Sequence, residues 1–329
     1  MIKVLTSGMQ TTIQDPGRYG YQAYGVSVGG SMSTFSSRLS NLLVGNEMDV
    51  PVLEIVQSHN SFLFEEESIV SFCGGGLVPE ANGKELPIFE PHLIEGSTIV
   101  QFRKPTPGFR LYMAIAGGFQ AKVFLKSYST DLLACSGGYE GRTLKKEDRL
   151  TLMTNPSELS ENIKDLLKKN VYFHIDKSLS PKIFSKKIRI ISGPEYELLS
   201  EESRQKLISN TFTIGNEYNR MGYRLKSEPL MLSEKKEMIS TAVCKGIMQL
   251  FPDGQTAALM ADCQTIGGYP RIAKIIESDL CICAQLKPGD QISFSLVSLG
   301  EAEELYLEQE QRILQIQGSV NQIFSNAGH

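Results

Sequence analysis

Tryptophan is absent from the 329 residues, and histidine (4) and cysteine (6) are scarce. The cysteines stand at 73, 135, 244, 263, 281 and 283 and the histidines at 59, 92, 174 and 329, so no histidine neighbours a cysteine in sequence. That scatter excludes a dense disulfide framework and the usual two-residue-gap zinc and redox motifs. Cys281-Ile282-Cys283 is the one close pair. As a strand it puts both thiols on one face, and the cysteines are expected to be buried structural thiols with no metal site. An excess of one charge is also lacking, with 33 Lys and Arg against 37 Asp and Glu and a formal charge of -4. Without a basic block, neither nucleic acid nor an anionic membrane is an expected partner. No apolar run approaches the roughly 18 residues of a membrane span. The opening Met1-Ile2-Lys3-Val4-Leu5-Thr6-Ser7-Gly8 breaks its apolar run after two residues, which gives the expectation of a cytoplasmic protein. Phosphate-loop and dinucleotide fingerprints are missing too, so any nucleotide has to be held by other loops.

What remains is an ordinary globular composition, 41% apolar and 21% charged, long enough for about two domains. Short alternating runs dominate: Ser68–Phe72, Ser97–Phe102, Arg110–Ile115, Ile188–Ile191 and Gln291–Val297 read as strands between Gly, Pro and Asn turns. Helical stretches are fewer, at Ser33–Leu43, Ser157–Lys169 and Ser200–Ile208. A mainly β architecture with accessory helices follows. A polar, Lys-rich stretch and then Ser178-Leu179-Ser180-Pro181 interrupt the strand pattern, which places the boundary between two domains, 1–180 and 181–329. In the tail, Tyr306, Ile313, Ile316, Val320 and Ile323 fall near helical spacing behind Glu301, Glu303 and Glu304, the pattern of a docking helix.

Several polar, Gly-rich strings carry candidate chemistry. Gly25-Val26-Ser27-Val28-Gly29 matches a nucleophile-elbow pattern, although no strong strand precedes it. Cys73-Gly74-Gly75-Gly76 offers consecutive N–H groups to an anion, against the plainer reading of a tight turn. In Gln14-Asp15-Pro16-Gly17-Arg18-Tyr19-Gly20-Tyr21, Arg18 supplies a rigid fork for a carboxylate or phosphate and Asp15 orients it or acts as a base; the plainer reading is an internal pair that pins a turn. Ser127–Asp131 with Gly137–Arg142, Gln249–Gln255 and Asp262–Arg271 repeat the theme, and these loops are expected to converge on one ligand site. Arg18-Tyr19-Gly20-Tyr21 is echoed by Arg220-Met221-Gly222-Tyr223, and Gly137-Gly138-Tyr139 by Gly267-Gly268-Tyr269, which leaves duplication of a β-domain and chance similarity of turns both open.

In order, Thr12–Tyr21, Gly25-Val26, Gly30-Ser31-Met32, Asn41–Asn46, Ser129-Thr130-Asp131, Gly137–Arg142, Asn219–Leu225 and Pro252–Gln255 through Gly267–Pro270 resemble the biotin-dependent carboxyltransferase family, also called allophanate hydrolase subunit 2-like. The resemblance spans roughly residues 5 to 297, and within it the turn at Ser27 has no nucleophile role. It implies a cyclophilin-like β-barrel at least in the second half. Stand-alone bacterial members of this length resemble a subunit of an ATP-dependent 5-oxoprolinase, a hydrolase that opens 5-oxoproline to glutamate with partner subunits A and B. Relatives inside urea amidolyase transfer a carboxyl group from biotin to urea, and others antagonise a kinase inhibitor. ATP with Mg2+, shared with partner subunits, is the implied cofactor. No Met-Lys-Met biotinylation site occurs, so biotin would arrive on another protein.

On this resemblance Asp15, Arg18, Asp253 and Asp262 are the expected catalytic residues. Gln14, Tyr21, Ser129, Thr130, Arg142, Arg220, Gln255, Tyr269 and Arg271 are the expected contacts to a small amide or lactam. Two departures stand out: Met32-Ser33 where the family has Met-Asp, and Ser127-Tyr128-Ser129-Thr130 where it has Ser-Arg-Ser-Thr.

Overall fold

The computed structural model describes residues 1–175, 183–234 and 238–325. The chain divides into two compact units, neither continuous in sequence. The first comprises Met1–Gly17, Ser33–Pro181 and Gln311–His329; the second comprises Arg18–Met32 and Lys182–Glu310. The boundary drawn near residue 180 lies outside the described residues.

In the first unit, eleven strands are β1 (Ile2–Thr6), β2 (Thr11–Gln14), β3 (Val52–Val56), β4 (Asn60–Phe64), β5 (Ser68–Gly74), β6 (Leu77–Ala81), β7 (Lys84–Glu85), β8 (Pro91–Ile94), β9 (Thr98–Pro105), β10 (Arg110–Ile115) and β11 (Arg149–Leu150). They form a six-stranded sheet, β11-β1-β4-β9-β6-β7, and a five-stranded one, β2-β3-β10-β5-β8. Alternation decides which side chains meet. Ile13, Leu53, Met113 and Phe72 lie in register across the five-stranded sheet and join Val4, Phe62, Val100 and Phe102 of the other sheet in one apolar core. Phe102 bridges the layers, edge-on to Phe62 at 5.8 Å and to Phe72 at 5.7 Å between centroids. Helices α1 (Thr34–Leu43) and α2 (Glu158–Lys168) complete the unit; Ser33 and Ser157 cap them by accepting N–H bonds from Ser36 and Ser160.

The second unit is built on a closed seven-stranded barrel, in the half where a barrel is expected. Its strands are β12 (Lys187–Ser192), β13 (Phe212–Tyr218), β14 (Gly222–Lys226), β16 (Ile247–Leu250), β17 (Thr256–Leu259), β19 (Arg271–Ile275) and β20 (Gln291–Leu296), in the order β12-β19-β16-β17-β14-β13-β20. The barrel closes through the parallel pair β12–β20. A small ladder, β15 (Thr241–Ala242) with β18 (Ile266–Gly267), stands apart from it. Helix α3 (Glu201–Ser209) contacts β20, and one turn, α4 (Leu280–Cys283), precedes that strand. The architectures differ, two open sheets against a closed barrel, so the sequence echo does not mark two copies of one fold.

The expected strand at Cys281–Cys283 is therefore corrected to helix. Asp279, the residue before α4, accepts the Arg189 backbone N–H at 2.7 Å and its side-chain Nε at 3.1 Å. Three residues buried on every side carry no period to tell helix from strand. Cys73, Cys263, Cys281 and Cys283 are buried, whereas Cys135 and Cys244 are exposed, against the expectation for those two. The long helix α5 (Leu299–Ser325) buries Ile313, Ile316 and Val320 as its spacing predicts, while Tyr306 is 41% exposed. The side chain of Ile323, placed on the same face by spacing, lies outside the described residues. No helix among the described residues is long and apolar enough to cross a membrane.

Candidate functional site

Where β2 ends, Asp15 is buried and becomes a hub. Its carboxylate accepts from the Gly17 N–H at 2.8 Å, the Ser127 hydroxyl at 2.7 Å, the Tyr128 N–H at 2.6 Å and the Ser129 hydroxyl. The Asp15 N–H donates in turn to Ser129 Oγ at 2.9 Å. Gln14, fully buried, donates from Nε2 to Thr12 Oγ1 at 2.9 Å and to the Thr130 carbonyl at 3.4 Å, while Thr130 returns N–H and hydroxyl bonds to the Ile13 carbonyl. These polar side chains clamp the 127–130 loop to the end of β2, bringing together Gln14, Asp15, Ser129 and Thr130. Gly138 (φ +53°) makes the close approach possible, because a Cβ there would lie 1.9 Å from Thr130 Oγ1. Arg142 belongs to the neighbouring loop and gives its fork to Asp148, at 2.7 and 2.9 Å.

Both departures from the family pattern are structurally absorbed. Tyr128 serves Asp15 through its backbone N–H, which any residue supplies. Ser33 is the cap of α1, a role serine and aspartate share.

A second polar set went unread in the sequence. Thr12, Glu54 and Tyr112 lie in register across β2, β3 and β10, on the sheet face opposite the apolar core. The Tyr112 phenol accepts the Ser33 N–H at 2.8 Å and is hydrogen-bonded to Glu54. Glu54 is also 3.6 Å from Arg110 Nε, with both side chains at most 2% exposed. Burial, and then the Glu54 charge, push the phenol well above its usual range. The available signal was a glutamate at the centre of the apolar run Val52-Leu53-Glu54-Ile55-Val56.

In the second unit, the segment 18–32 is held by charged side chains. Arg220 is 3% exposed and sets its fork on Asp262, Nε to Oδ2 at 2.8 Å and Nη2 to Oδ1 at 2.9 Å, with a further bond from Nη2 to the Gly30 carbonyl. Lys245 Nζ donates to the Ser31 and Met32 carbonyls at 3.3 and 3.0 Å. Arg18, 1% exposed, anchors its own N–H on the Val28 carbonyl. Gly29 sits between the charges: at φ +66°, a Cβ there would lie 2.6 Å from Arg18 Nη1 and 3.7 Å from Asp262 Oδ1. The two echoed arginines, 18 and 220, therefore meet around one glycine turn. Lys245 was missed because its neighbours carry no motif. Ser27 lies half-buried in the same segment, between the 3-10 turn Gln22–Tyr24 and the start of α1, so the strand-to-helix elbow is absent. Tyr21 opens that turn, with its carbonyl accepting from the Tyr24 N–H at 3.0 Å.

The remaining predicted residues gather elsewhere. Along the β14–β17 ladder, Gly222 pairs with Leu259 and Leu225 with Thr256, so Arg220 and Asp262 lie beyond one end and Asp253 and Gln255 beyond the other. Of the loops expected to form one site, 127–131 and 137–142 belong to the first unit, and in the second unit Asp262 and the Asp253–Gln255 turn lie at opposite ends of this ladder. Asp253 pairs with Arg224, whose guanidinium covers Phe251 at 4.0 Å from the ring centroid. Gln255 clasps the Ser227 backbone by two bonds of 3.1 Å. Arg271 holds Glu195 in a fork of 2.9 and 2.8 Å. Tyr269 packs on Phe251 at 4.5 Å and, with Leu230, Met231, Pro252 and Pro270, lines a cavity of about 800 Å³. The cavity is apolar and suits an uncharged surface better than a carboxylate.

Among the described residues no three His, Cys, Asp or Glu side chains cluster in a metal-holding group. The N–H groups of Gly75 and Gly76 are bonded to the Arg110 and Pro107 carbonyls, so the tight-turn reading of Gly74–Gly76 holds and no phosphate nest forms there.

These motifs have counterparts in known proteins. Residues 24–296 match the family model of the carboxyltransferase domain, subdomain A and B. The chain is 33% identical over 323 residues to the C subunit of 5-oxoprolinase from Escherichia coli (strain K12), covering 94% of this chain and 97% of that protein. It is 30% identical over 338 residues to urea amidolyase of Saccharomyces cerevisiae, covering 97% of this chain but 18% of the relative. Among solved structures, the urea amidolyase of K. lactis superposes with a TM-score of 0.86 at 28% identity, over 96% of this chain and 20% of that one, so the chain spans about a fifth of that enzyme. On sequence and fold together, this chain belongs to the carboxyltransferase family of subdomains A and B.

Proposed function

We propose that this chain is the C subunit of an ATP-dependent 5-oxoprolinase, which opens 5-oxoproline to glutamate and acts only with partner subunits A and B. The observation that carries this reading is an end-to-end correspondence, with 94% of this chain matching 97% of a protein named as that subunit. A lactam amide is unreactive, and phosphorylation of its oxygen by ATP gives water an activated carbon to attack. ATP and Mg2+ are assigned to the complex as a whole, since the Gly75 and Gly76 amides are committed to backbone carbonyls. This chain's part is positioning and charge. The Arg18 guanidinium and the Arg220–Asp262 pair fix the charge pattern around the Gly29 turn, and Asp15 holds the 127–130 loop in place. The buried Glu54–Tyr112 contact to the Ser33 N–H is a further positioning element.

The test is reconstitution. The three purified subunits together should release glutamate from 5-oxoproline with ATP, while omission of this chain, or this chain alone, should give none. Turnover by subunits A and B without this chain would refute the assignment. A second reading, a carboxyltransferase component acting on urea, is favoured by the TM-score of 0.86 to a urea amidolyase. It requires biotin on another protein, so carboxylation of urea that depends on a biotinylated partner would replace the first reading.

A further inference from the structure

Nearly every buried backbone N–H in a folded chain has an acceptor, so adjacent ones without any mark a place built to receive one. Such a place lies at the end of the segment 18–32. Gly30 is buried, Ser31 is 0% exposed, and the Ser31 hydroxyl has no hydrogen-bond partner among the described residues. Nothing among those residues accepts from the Gly30 or Ser31 N–H either. Two consecutive residues thus leave two N–H groups and a hydroxyl to be satisfied.

Neighbouring contacts set the direction of these donors. Arg220 takes the Gly30 carbonyl, and Lys245 takes those of Ser31 and Met32 at 3.3 and 3.0 Å. The peptide between Gly30 and Ser31 is trans, so the Ser31 N–H is turned away from Arg220. A carbonyl bound to a cation also polarises the N–H of the same peptide and strengthens it as a donor. From Gly30 (φ +81°) to Ser31 the sign of φ reverses, the alternation by which consecutive N–H groups face one side as an anion nest. Arg18 Nη1 lies against Gly29, the preceding residue, and Asp262 is engaged with Arg220.

We propose that the Gly30 N–H, the Ser31 N–H and the Ser31 hydroxyl form a cradle for one oxyanion oxygen of a ligand carboxylate or phosphoryl group. A negative oxygen suits the cradle because it accepts several hydrogen bonds at once and meets donors fixed in advance. Burial keeps bulk water from competing for them. Tyr19, Gly20 and residues 22–25 of the same segment are exposed, and stretches of that kind open locally at low cost, which gives a ligand its way in. Under the 5-oxoprolinase reading, on which the identity of the ligand rests, its two sources are the carboxylate of 5-oxoproline and a phosphoryl group derived from ATP.

The test titrates the full, natively folded chain, deuterated and carrying 15N in glycine and serine, with 5-oxoproline, with inorganic phosphate, and with 2-pyrrolidinone, which is 5-oxoproline without its carboxylate. The Gly30 and Ser31 amide protons should move downfield and saturate with an anion. Movement with 5-oxoproline and none with 2-pyrrolidinone assigns the carboxylate, whereas movement with phosphate and none with 5-oxoproline assigns the phosphoryl group. Ser31→Ala should weaken binding of the responsive anion at least about tenfold, the worth of one hydrogen bond to a charged group. It should also keep or raise the melting temperature, because the hydroxyl it removes is buried without a partner. Equal movement with 5-oxoproline and 2-pyrrolidinone overturns the proposal, as does no movement with either anion, which leaves the donors to an ordered water only. A melting temperature lowered by Ser31→Ala overturns it too, by giving the hydroxyl a structural role. Turnover by the reconstituted subunits is read separately, so a failed cradle and a failed 5-oxoprolinase reading are told apart.

Discussion

Replacing Tyr112 by phenylalanine removes one oxygen from the interior of the first unit and leaves the ring in place. The phenol is fully buried, accepts the Ser33 N–H at 2.8 Å and is hydrogen-bonded to Glu54, so the substitution strands two partners at once. An unsatisfied buried N–H costs about 1–3 kcal/mol, and the lost bond to a charged group about 1.5–3 kcal/mol. Cavity formation adds little, because only the hydroxyl volume is vacated. Some relaxation at the start of α1 offsets part of the sum, which leaves about 3 kcal/mol. At about 2–4 °C per kcal/mol for a unit of this size, the melting transition should fall by roughly 6–12 °C. Calorimetry is the suitable assay, since two units allow two transitions and the shift belongs to the first unit alone. Tyr24→Phe, at a residue 82% exposed, is the control and should leave the transition unmoved. A Tyr112→Phe shift below about 2 °C would refute the claim that this contact holds the start of α1.

Arg18→Lys keeps the charge and loses the planar fork of a side chain 1% exposed, so the reconstituted complex should lose at least about tenfold in activity alongside a lower melting temperature; a lower melting temperature with full turnover would assign Arg18 a purely structural role. Gly29→Ala places a Cβ 2.6 Å from Arg18 Nη1 on a backbone at φ +66°, and should lower stability by about 1 kcal/mol or more together with activity, measured by denaturant titration and glutamate release. Burial works to raise the Asp148 carboxyl, and the Arg142 fork with the Lys145 N–H outweighs it, so the group titrates below its usual range. A carboxylate depressed in the folded state stabilises above its unfolded pKa, and that contribution is lost as pH falls through the folded value. Asp148→Asn should therefore cost roughly 1–2 kcal/mol at pH 7 and progressively less below about pH 4, followed by denaturant midpoints across that range. Elemental analysis of the purified chain should find no stoichiometric zinc or iron, and about one bound transition metal per chain would overturn that expectation.

Much of the architecture was legible along the chain. Runs such as Arg110–Ile115 and Gln291–Leu296 form strands as read, and the capped segments after Ser33, Ser157 and Ser200 form helices. Both signals are local: alternation and caps act over a few residues, and the neighbours that enforce them lie within the same run. Cys281–Cys283 shows the limit, since three residues buried on all sides have no period to read. The candidate site was legible as residue types and only partly as a place. Asp15 found its partners 112 to 114 residues away in the 127–129 loop, and Arg220 met Asp262 and Gly30 across separations of 42 and 190 residues. Arg142, Arg271 and Asp253 offered the same chemistry on paper and pair instead with Asp148, Glu195 and Arg224. The sequence by itself thus determined which elements form and which polar side chains are available. Only the tertiary structure decided which of those side chains share a neighbourhood, because a motif specifies chemistry at one point of the chain, while the register of sheet and barrel sets the distance between points far apart in it.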